Sequence, residues 1–218
     1  MPSDPTRAAR WAIALTGFWL LTDIGQMLAN LWQIWVLGGV DGIGGDPQTA
    51  LNAVDIAIVA QGLGVLAGIP CLIVGLRWVY VINRNAHRWS DAMTIRPGWN
   101  VGWFFIPFAA LFKPFEGIRE SRSVTIDPDH PESVPVPSWM RIWLGLWLAS
   151  QIYGNVTGQI GWTAETPQQL ITMAWLNAAG VIIDIPLAIM FRHLVINIST
   201  LQRARILSEP SVPQPATP

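Results

Sequence analysis

The sequence predicts an all-α, polytopic membrane protein: a four-helix transmembrane bundle with an interfacial or re-entrant amphipathic segment in a central cytoplasmic loop. Three observations favour this fold class. Only 12% of the 218 residues are charged, whereas soluble domains carry about 25% charged residues. Four long apolar runs alternate with polar connections. The basic residues avoid two of those connections, which is typical of a chain oriented in a bilayer.

Four apolar runs are long enough to span, since a helix needs about 20 residues to cross about 30 Å of hydrocarbon. They are residues 11–37, 51–82, 139–162 and 170–198. Helices are predicted because open strand edges cannot be satisfied in lipid. Arg7 and Arg10 precede the first run, as in a signal peptide. That run is too long for one and no small-residue cleavage pattern follows, so it is interpreted as a retained helix.

The orientation follows from the Lys and Arg residues, which are enriched on the cytoplasmic side. Residues 38–50 contain Asp41 and Asp46 but no basic residue, and the connection before the fourth run contains Glu165 and again none. The basic residues lie near the two termini or in the central loop and its helix ends: Arg7, Arg10, Arg77, Arg84, Arg88, Arg96, Lys113, Arg119, Arg122, Arg141, Arg192, Arg203 and Arg205. Both termini and the central loop are therefore predicted to be cytoplasmic.

The central loop contains an apolar segment, residues 96–122, that is too short to span. Pro107 is expected to break it, and four phenylalanines recur at helical spacing: Phe104, Phe108, Phe112 and Phe115. An aromatic stripe with basic neighbours suits the headgroup region of an anionic leaflet. The segment is thus predicted to pack on the membrane surface, and a lid over the bundle is the alternative.

Residues 1–205 are predicted to form a single four-span domain, followed by a disordered, Pro-rich tail at residues 206–218. Residues 123–138 are acidic and rich in proline. His130 lies there beside Asp127, Asp129 and Glu132, but so compact a group is more typical of a solvated linker than of a metal site. No metal and no cofactor are predicted.

Polar residues within the spans form the first candidate site, because an ionisable side chain in hydrocarbon is costly and marks a functional or packing position. On the first run Asp23, Gln26, Asn30 and Gln33 share one helical face, and Gln151, Asn155 and Gln159 do so on the third. The candidate intramembrane site comprises Asp23, Gln26, Asn30, Asp55, Gln151, Asn155, Asn177 and Asp184. The stripes are expected to face one another, either as interhelical hydrogen bonds or as a functional polar cavity.

A second group surrounds the end of the second run and the start of the central segment. It is read as an interfacial motif in which Asn83 and Asn85 cap the helix and the tryptophans re-enter the headgroup layer. Its members are Trp78, Tyr80, Asn83, Asn85, Pro97, Gly98, Trp99, Gly102, Trp103, Pro107 and Pro114. These blocks resemble a bacterial membrane family known as domain of unknown function 4328. The resemblance implies a prokaryotic cytoplasmic (inner) membrane and supplies no activity.

The function expected from these patterns is a non-enzymatic membrane module that binds a partner or a lipid. The alternative is a small proton, ion or solute transporter or channel that uses the intramembrane carboxylates. No His-Glu-x-x-His, Walker A or Gly-x-Ser-x-Gly motif is present, so no enzyme is predicted. The expected partners are the lipid bilayer, anionic lipid at the central loop, and further copies or a larger membrane complex, but no nucleic acid.

Overall fold

The structure is a computed structural model that describes residues 2–40, 46–161 and 166–208. The predictions made for the loops around Asp41 and Glu165, and for the tail from residue 209 onward, fall outside these residues.

Helices account for nearly all of the described chain, and no strand occurs in those three ranges. The six helices are α1 (Thr6–Val40), α2 (Pro47–Trp89), α3 (Pro97–Gly102), α4 (Ala109–Ile126), α5 (Ser138–Gly161) and α6 (Pro167–Ser208). The all-α class is confirmed. Three of the four long helices extend beyond the apolar runs that predicted them, because their polar ends pack against other parts of the protein.

Three helices are long and apolar enough to cross a membrane: α1 over Thr6–Gly38, α2 and α6. This result supports a membrane protein. Helix α5 does not reach the same apolarity, since its 24 residues include three tryptophans, a tyrosine, two glutamines and an asparagine. Tryptophan and amide side chains lower the hydropathy of a helix even where the tryptophans suit the membrane interface.

The described residues group into two compact units. The bundle unit comprises Trp11–Val74 and Pro137–His193, which are most of α1, the first part of α2, α5 and most of α6. The helix-end unit comprises Met1–Arg10, Gly75–Val136 and Leu194–Pro218, and therefore contains α3, α4 and the polar ends of α2 and α6.

Small residues bring the helices of the bundle unit together. A Cβ at Gly64 of α2 would lie 3.4 Å from Gln26 Oε1 of α1, and one at Gly68 would lie 3.7 Å from the Trp19 ring. One turn further, the Thr16 hydroxyl lies 3.4 Å from Cys71 Sγ. Close approach at small residues is the usual packing mode in lipid, where burial supplies little attraction between helices.

The ends of α1 carry exposed tryptophans, Trp11 at 57% and Trp35 at 76% exposure. At about 1.5 Å of rise per residue they lie about 36 Å apart along the helix. That separation is slightly more than the hydrocarbon thickness of about 30 Å. Both indoles are therefore spaced to reach the two headgroup layers.

The apolar core of the helix-end unit joins three helices, with fully buried Ile82 of α2, Ile118 of α4 and Ile198 of α6. Helix α3 packs on α4 through the buried side chain of Asn100. An added Cβ at Gly117 of α4 would lie 2.3 Å from Asn100 Oδ1. Only glycine permits this approach.

Two local predictions for this unit are wrong and one is confirmed. Asn83 and Asn85 do not cap the second helix, because α2 continues to Trp89. The linker predicted from residue 123 begins later, since α4 extends to Ile126 and buries Val124. The break at Pro107 is confirmed: a 3-10 turn at Trp103–Phe105 ends before it, and α4 starts after Phe108, whose φ is 63°.

We predict that Gly117→Ala destabilises the protein, because its methyl group would overlap the Asn100 amide. Overpacking of this kind costs about 1–3 kcal/mol of unfolding free energy. Gly98→Ala is the matched control, since a Cβ there meets nothing within 4 Å. Thermal unfolding of the detergent-purified variants should show a lower midpoint for Gly117→Ala only, and equal midpoints would contradict the packing of α3 on α4.

Candidate functional site

A polar cavity of about 510 Å³ lies within the bundle unit. Amide and hydroxyl side chains from all four of its helices line it: Gln26, Asn30 and Gln33 from α1, Gln61 from α2, Thr157 from α5 and Asn177 from α6. Glycines form part of the α5 wall, at Gly154, Gly158 and Gly161. No charged side chain is found among the described residues that line the cavity.

Most of these amides have unused hydrogen-bonding capacity. Asn30 donates to the backbone carbonyl of Gln26 at 2.8 Å, within its own helix. For Gln33, Gln61 and Asn177, no side-chain hydrogen bond to another described residue is found. A primary amide offers two donors and one acceptor oxygen. The cavity therefore presents a set of free donors and acceptors to whatever occupies it.

Two carboxyl groups lie within electrostatic range of each other in the same unit. Asp23 of α1 lies close enough to Asp184 of α6 for an electrostatic interaction. Asp184 is hydrogen-bonded by the Ser150 side chain of α5, whereas one carboxyl oxygen of Asp23 is buried without a partner. Asp23 precedes Gln26 by one helical turn, so the carboxyl pair adjoins the polar stripe that lines the cavity.

Tyr153 of α5 completes the surroundings of this pair. Its hydroxyl donates to the backbone carbonyl of Leu176 on α6. A Cβ at Gly180 would lie 3.4 Å from the Tyr153 ring and 3.7 Å from Asp184 Oδ2. Gly180 thus lies beside both Tyr153 and Asp184.

The structure brings together five residues of the candidate intramembrane site predicted from sequence: Gln26, Asn30 and Asn177 at the cavity, and Asp23 and Asp184 as the carboxyl pair. It does not bring in the other three. Asp55 is exposed on α2, Asn155 is exposed on α5, and Gln151 accepts from Asn155 through its backbone carbonyl at 2.8 Å. Sequence reasoning missed Gln61, an amide in the middle of the apolar stretch of α2, and Thr157 beside the α5 glycines.

The helix-end unit is organised around a buried amide, Gln202 of α6. Its Nε2 donates to the carbonyl of Ile82 at 2.8 Å and to the Thr125 hydroxyl at 3.3 Å. Its Oε1 accepts from Asn85 Nδ2 at 2.9 Å. One fully buried side chain therefore links α2, α4 and α6. Sequence reasoning missed Gln202 because it stands in a polar helix end, where glutamine is usually solvated.

Asn85 connects this network to the N-terminal segment. Its Oδ1 accepts from the Ser3 backbone N–H at 2.9 Å, and its Nδ2 donates to the Ser3 carbonyl at 2.8 Å. Arg84 donates to the Ser3 hydroxyl at 2.9 Å. The segment before α1 is thereby fixed to the end of α2.

The predicted interfacial motif divides into a buried and an exposed part. Trp78 is fully buried and donates to the Ser199 hydroxyl at 2.9 Å, and Asn83 and Pro114 are buried as well. Pro97 occupies the first turn of α3. Tyr80, Gly98, Trp99 and Pro107 are exposed, and Gly102 and Trp103 are half-buried. The buried part is a packing core, and the exposed part forms a surface.

Residues 41–200 match the family model described as Domain of unknown function (DUF4328). The chain belongs to this family. The DUF4328 match covers α2 to α5 and α6 as far as residue 200, so it includes Gln61 and Asn177 of the cavity. Helix α1, which supplies Asp23, Gln26, Asn30 and Gln33, precedes the DUF4328 region. Searches of curated proteins and of solved structures found no match.

We predict that Gln202→Leu destabilises the protein, because it removes the buried hydrogen bonds of the Gln202 amide with Asn85, Ile82 and Thr125. Each hydrogen bond lost costs about 0.5–1.5 kcal/mol. Thr200→Leu is the control, since Thr200 is exposed two positions away. Chemical or thermal unfolding should show a large loss for Gln202→Leu and a change within about 0.5 kcal/mol for Thr200→Leu. Equal losses would mean that Gln202 is not central to the unit.

Proposed function

We propose that the protein is a four-span module of a prokaryotic cytoplasmic membrane that binds a small, uncharged polar ligand in its intramembrane cavity. Both termini and the central segment are cytoplasmic in this proposal, and α5 is the fourth span. The role is binding and not catalysis. The observation that carries the proposal is the set of unpaired amides around the cavity.

The inclusion of α5 as a span rests on length, contacts and charge. Its 24 residues extend about 36 Å, enough to cross the hydrocarbon layer. Its Ser150 and Tyr153 bond to α6 within the same unit as α1 and α2. Four spans also return both termini to one side, which agrees with basic residues near the N terminus, near the C terminus and in the central segment.

The chemical class of the ligand follows from the cavity wall. An amide left without a partner in an apolar environment costs at least about 1–3 kcal/mol, so Gln33, Gln61 and Asn177 require water or a ligand with donors and acceptors. An anion or a cation would need a compensating charge, which the described lining lacks. The cavity volume of about 510 Å³ falls in the range of small-molecule sites. A neutral solute rich in hydroxyl or amide groups fits best.

The accessibility of the cavity can be measured with single cysteines in a Cys71→Ala background. We predict that a membrane-impermeant methanethiosulfonate added to intact cells modifies Asn177→Cys at least about tenfold faster than Ala179→Cys. A thiol reacts as its thiolate, which forms in water and not in lipid. Ala179 lies at nearly the same depth but is exposed on another face of α6 and does not line the cavity.

Equal rates at the two positions would overturn a hydrated cavity. Modification only in inside-out vesicles would reverse the proposed orientation. To test the ligand class, the rate of labelling of Asn177→Cys is measured separately in the presence of urea, glycerol and glucose. A solute that binds should slow the reaction, and Gln33→Leu should weaken that protection about five- to tenfold through the loss of one hydrogen bond.

A second candidate function, proton-coupled transport, is favoured by the carboxyl pair of Asp23 and Asp184. Paired carboxyl groups inside a membrane are typical of proton relays. The partnerless oxygen of Asp23 is a free acceptor for a proton or a water molecule. In this alternative the amides select the solute and the carboxyl pair carries the proton.

We predict that, if the protein transports protons, liposomes containing it acidify under an imposed potential and that Asp23→Asn/Asp184→Asn reduces the rate at least about tenfold. Asp55→Asn is the control, because Asp55 is exposed on α2 away from the pair. Flux should be measured with an entrapped pH dye. Equal flux in wild type and double mutant, or no flux with or without the solute found above, would exclude this candidate and leave the binding role.

A further inference from the structure

The stretch between α3 and α4 exposes an unusually apolar edge. Phe108 is 85% exposed, and Trp99, Phe105, Ile106 and Phe112 are exposed as well. We call these five residues the aromatic edge. Exposed apolar residues gathered in so short a stretch mark an interaction surface rather than ordinary solvent exposure.

The backbone at the tip of the edge is strained, which indicates that its shape is imposed. Phe108 has φ 63° and ψ −44°, a conformation that non-glycine residues rarely adopt and that costs about 1–3 kcal/mol. The conformation ends the preceding 3-10 turn and starts α4 one residue later. Phe108 thus combines a strained backbone with an exposed aromatic ring.

A pocket that carries Arg96 and Lys113 in its wall adjoins the aromatic edge. The Glu120 carboxylate accepts hydrogen bonds from the backbone N–H groups of Thr94 and Ile95 in the same wall, each at 3.2 Å. Thr94, Ile95, Arg96, Trp99, Trp103 and Lys113 line a hollow of about 380 Å³. The Trp99 and Trp103 rings contact each other with centroids 5.1 Å apart and planes tilted by 32°. Lys113 bonds Glu116 at 2.6 Å, but an ammonium group has further donors to offer. Among the described residues Arg96 has no acidic partner.

We propose that this pocket binds the phosphate headgroup of an anionic phospholipid in the membrane that the protein spans. The Arg96 guanidinium can donate two parallel hydrogen bonds to phosphate oxygens, and Lys113 adds a second positive charge. The Trp99–Trp103 pair lies at the headgroup level, where indoles are favoured. Acyl chains cover Phe105, Phe108 and Phe112.

A lipid fits this surface better than a protein partner for a chemical reason. The pocket pairs two cations with an adjoining aromatic edge, and a phospholipid carries a phosphate and a hydrocarbon chain in the same molecule. The segment also belongs to a chain with three long apolar helices, so a bilayer is always within its reach. This site is independent of the polar cavity and does not rest on its ligand.

The test is lipid binding to the full-length protein in detergent, measured by native mass spectrometry. We predict that wild type binds phosphatidylglycerol at least about tenfold more tightly than phosphatidylcholine, because the choline cation offsets the phosphate charge and is repelled by Arg96 and Lys113. Arg96→Gln/Lys113→Gln should reduce this preference to less than about twofold. Arg88→Gln/Arg119→Gln is the matched control, because it removes two exposed charges of the same unit outside the pocket.

Retention of the preference by Arg96→Gln/Lys113→Gln, or an equal loss in the control, would overturn the proposal, since either result reports general charge and not this pocket. Displacement of the lipid by glycerol phosphate at equal concentration would also overturn it, because a free phosphate ester would then be the ligand. All four substituted residues are exposed, so unchanged thermal midpoints are expected and confirm that each variant is folded.

Discussion

The structure depends on the requirement that a polar group shielded from water finds a hydrogen-bonding partner. Hydrocarbon offers none, so every amide inside the bundle must meet another protein group, trapped water or a ligand. In the helix-end unit Gln202 and Asn85 meet this requirement completely through Ile82, Thr125 and Ser3. Asn83 and Asn100 of the same unit are buried without a side-chain partner, so unpaired amides occur in both units. What distinguishes Gln33, Gln61 and Asn177 of the bundle unit is that they line a cavity.

The position of the cavity amides is what supports the proposed binding role of the intramembrane stripes. If the amides existed only to hold helices together, they would bond across helices. The interhelical contacts of the bundle unit include those of Gly64 with the Gln26 amide, of Thr16 with Cys71 and of Tyr153 with α6. Gln33, Gln61 and Asn177 make no side-chain hydrogen bond to another described residue. In the proposed binding role, an occupant of the cavity supplies the partners that they lack.

The sequence predicted the long helices and the polar stripe that begins at Asp23 on α1, because apolar length and helical spacing are local properties. It did not predict that α2 continues beyond Ile82 or that Gln202 is buried. Those outcomes depend on tertiary contacts between segments more than a hundred residues apart, as in the Trp78–Ser199 bond. Gln61 was missed for a related reason: its role is set by which helices surround it. The family match was foreseen from the tryptophan and asparagine blocks, which the structure then divides into core and surface.

The buried and the exposed parts of the interfacial motif contribute differently to the protein. Trp78 and Asn85 are fully buried, so they cannot contact a lipid or a partner. They act only by fixing the helix ends. Trp99 and Phe108 lie on the surface, where they gain nothing from the protein core and are costly in water. A fold that buries polar amides and exposes aromatic rings in the same unit reverses the usual arrangement of a soluble protein. In the proposed lipid site, acyl chains cover the exposed rings and the phosphate of the headgroup supplies the counter-charge for Arg96.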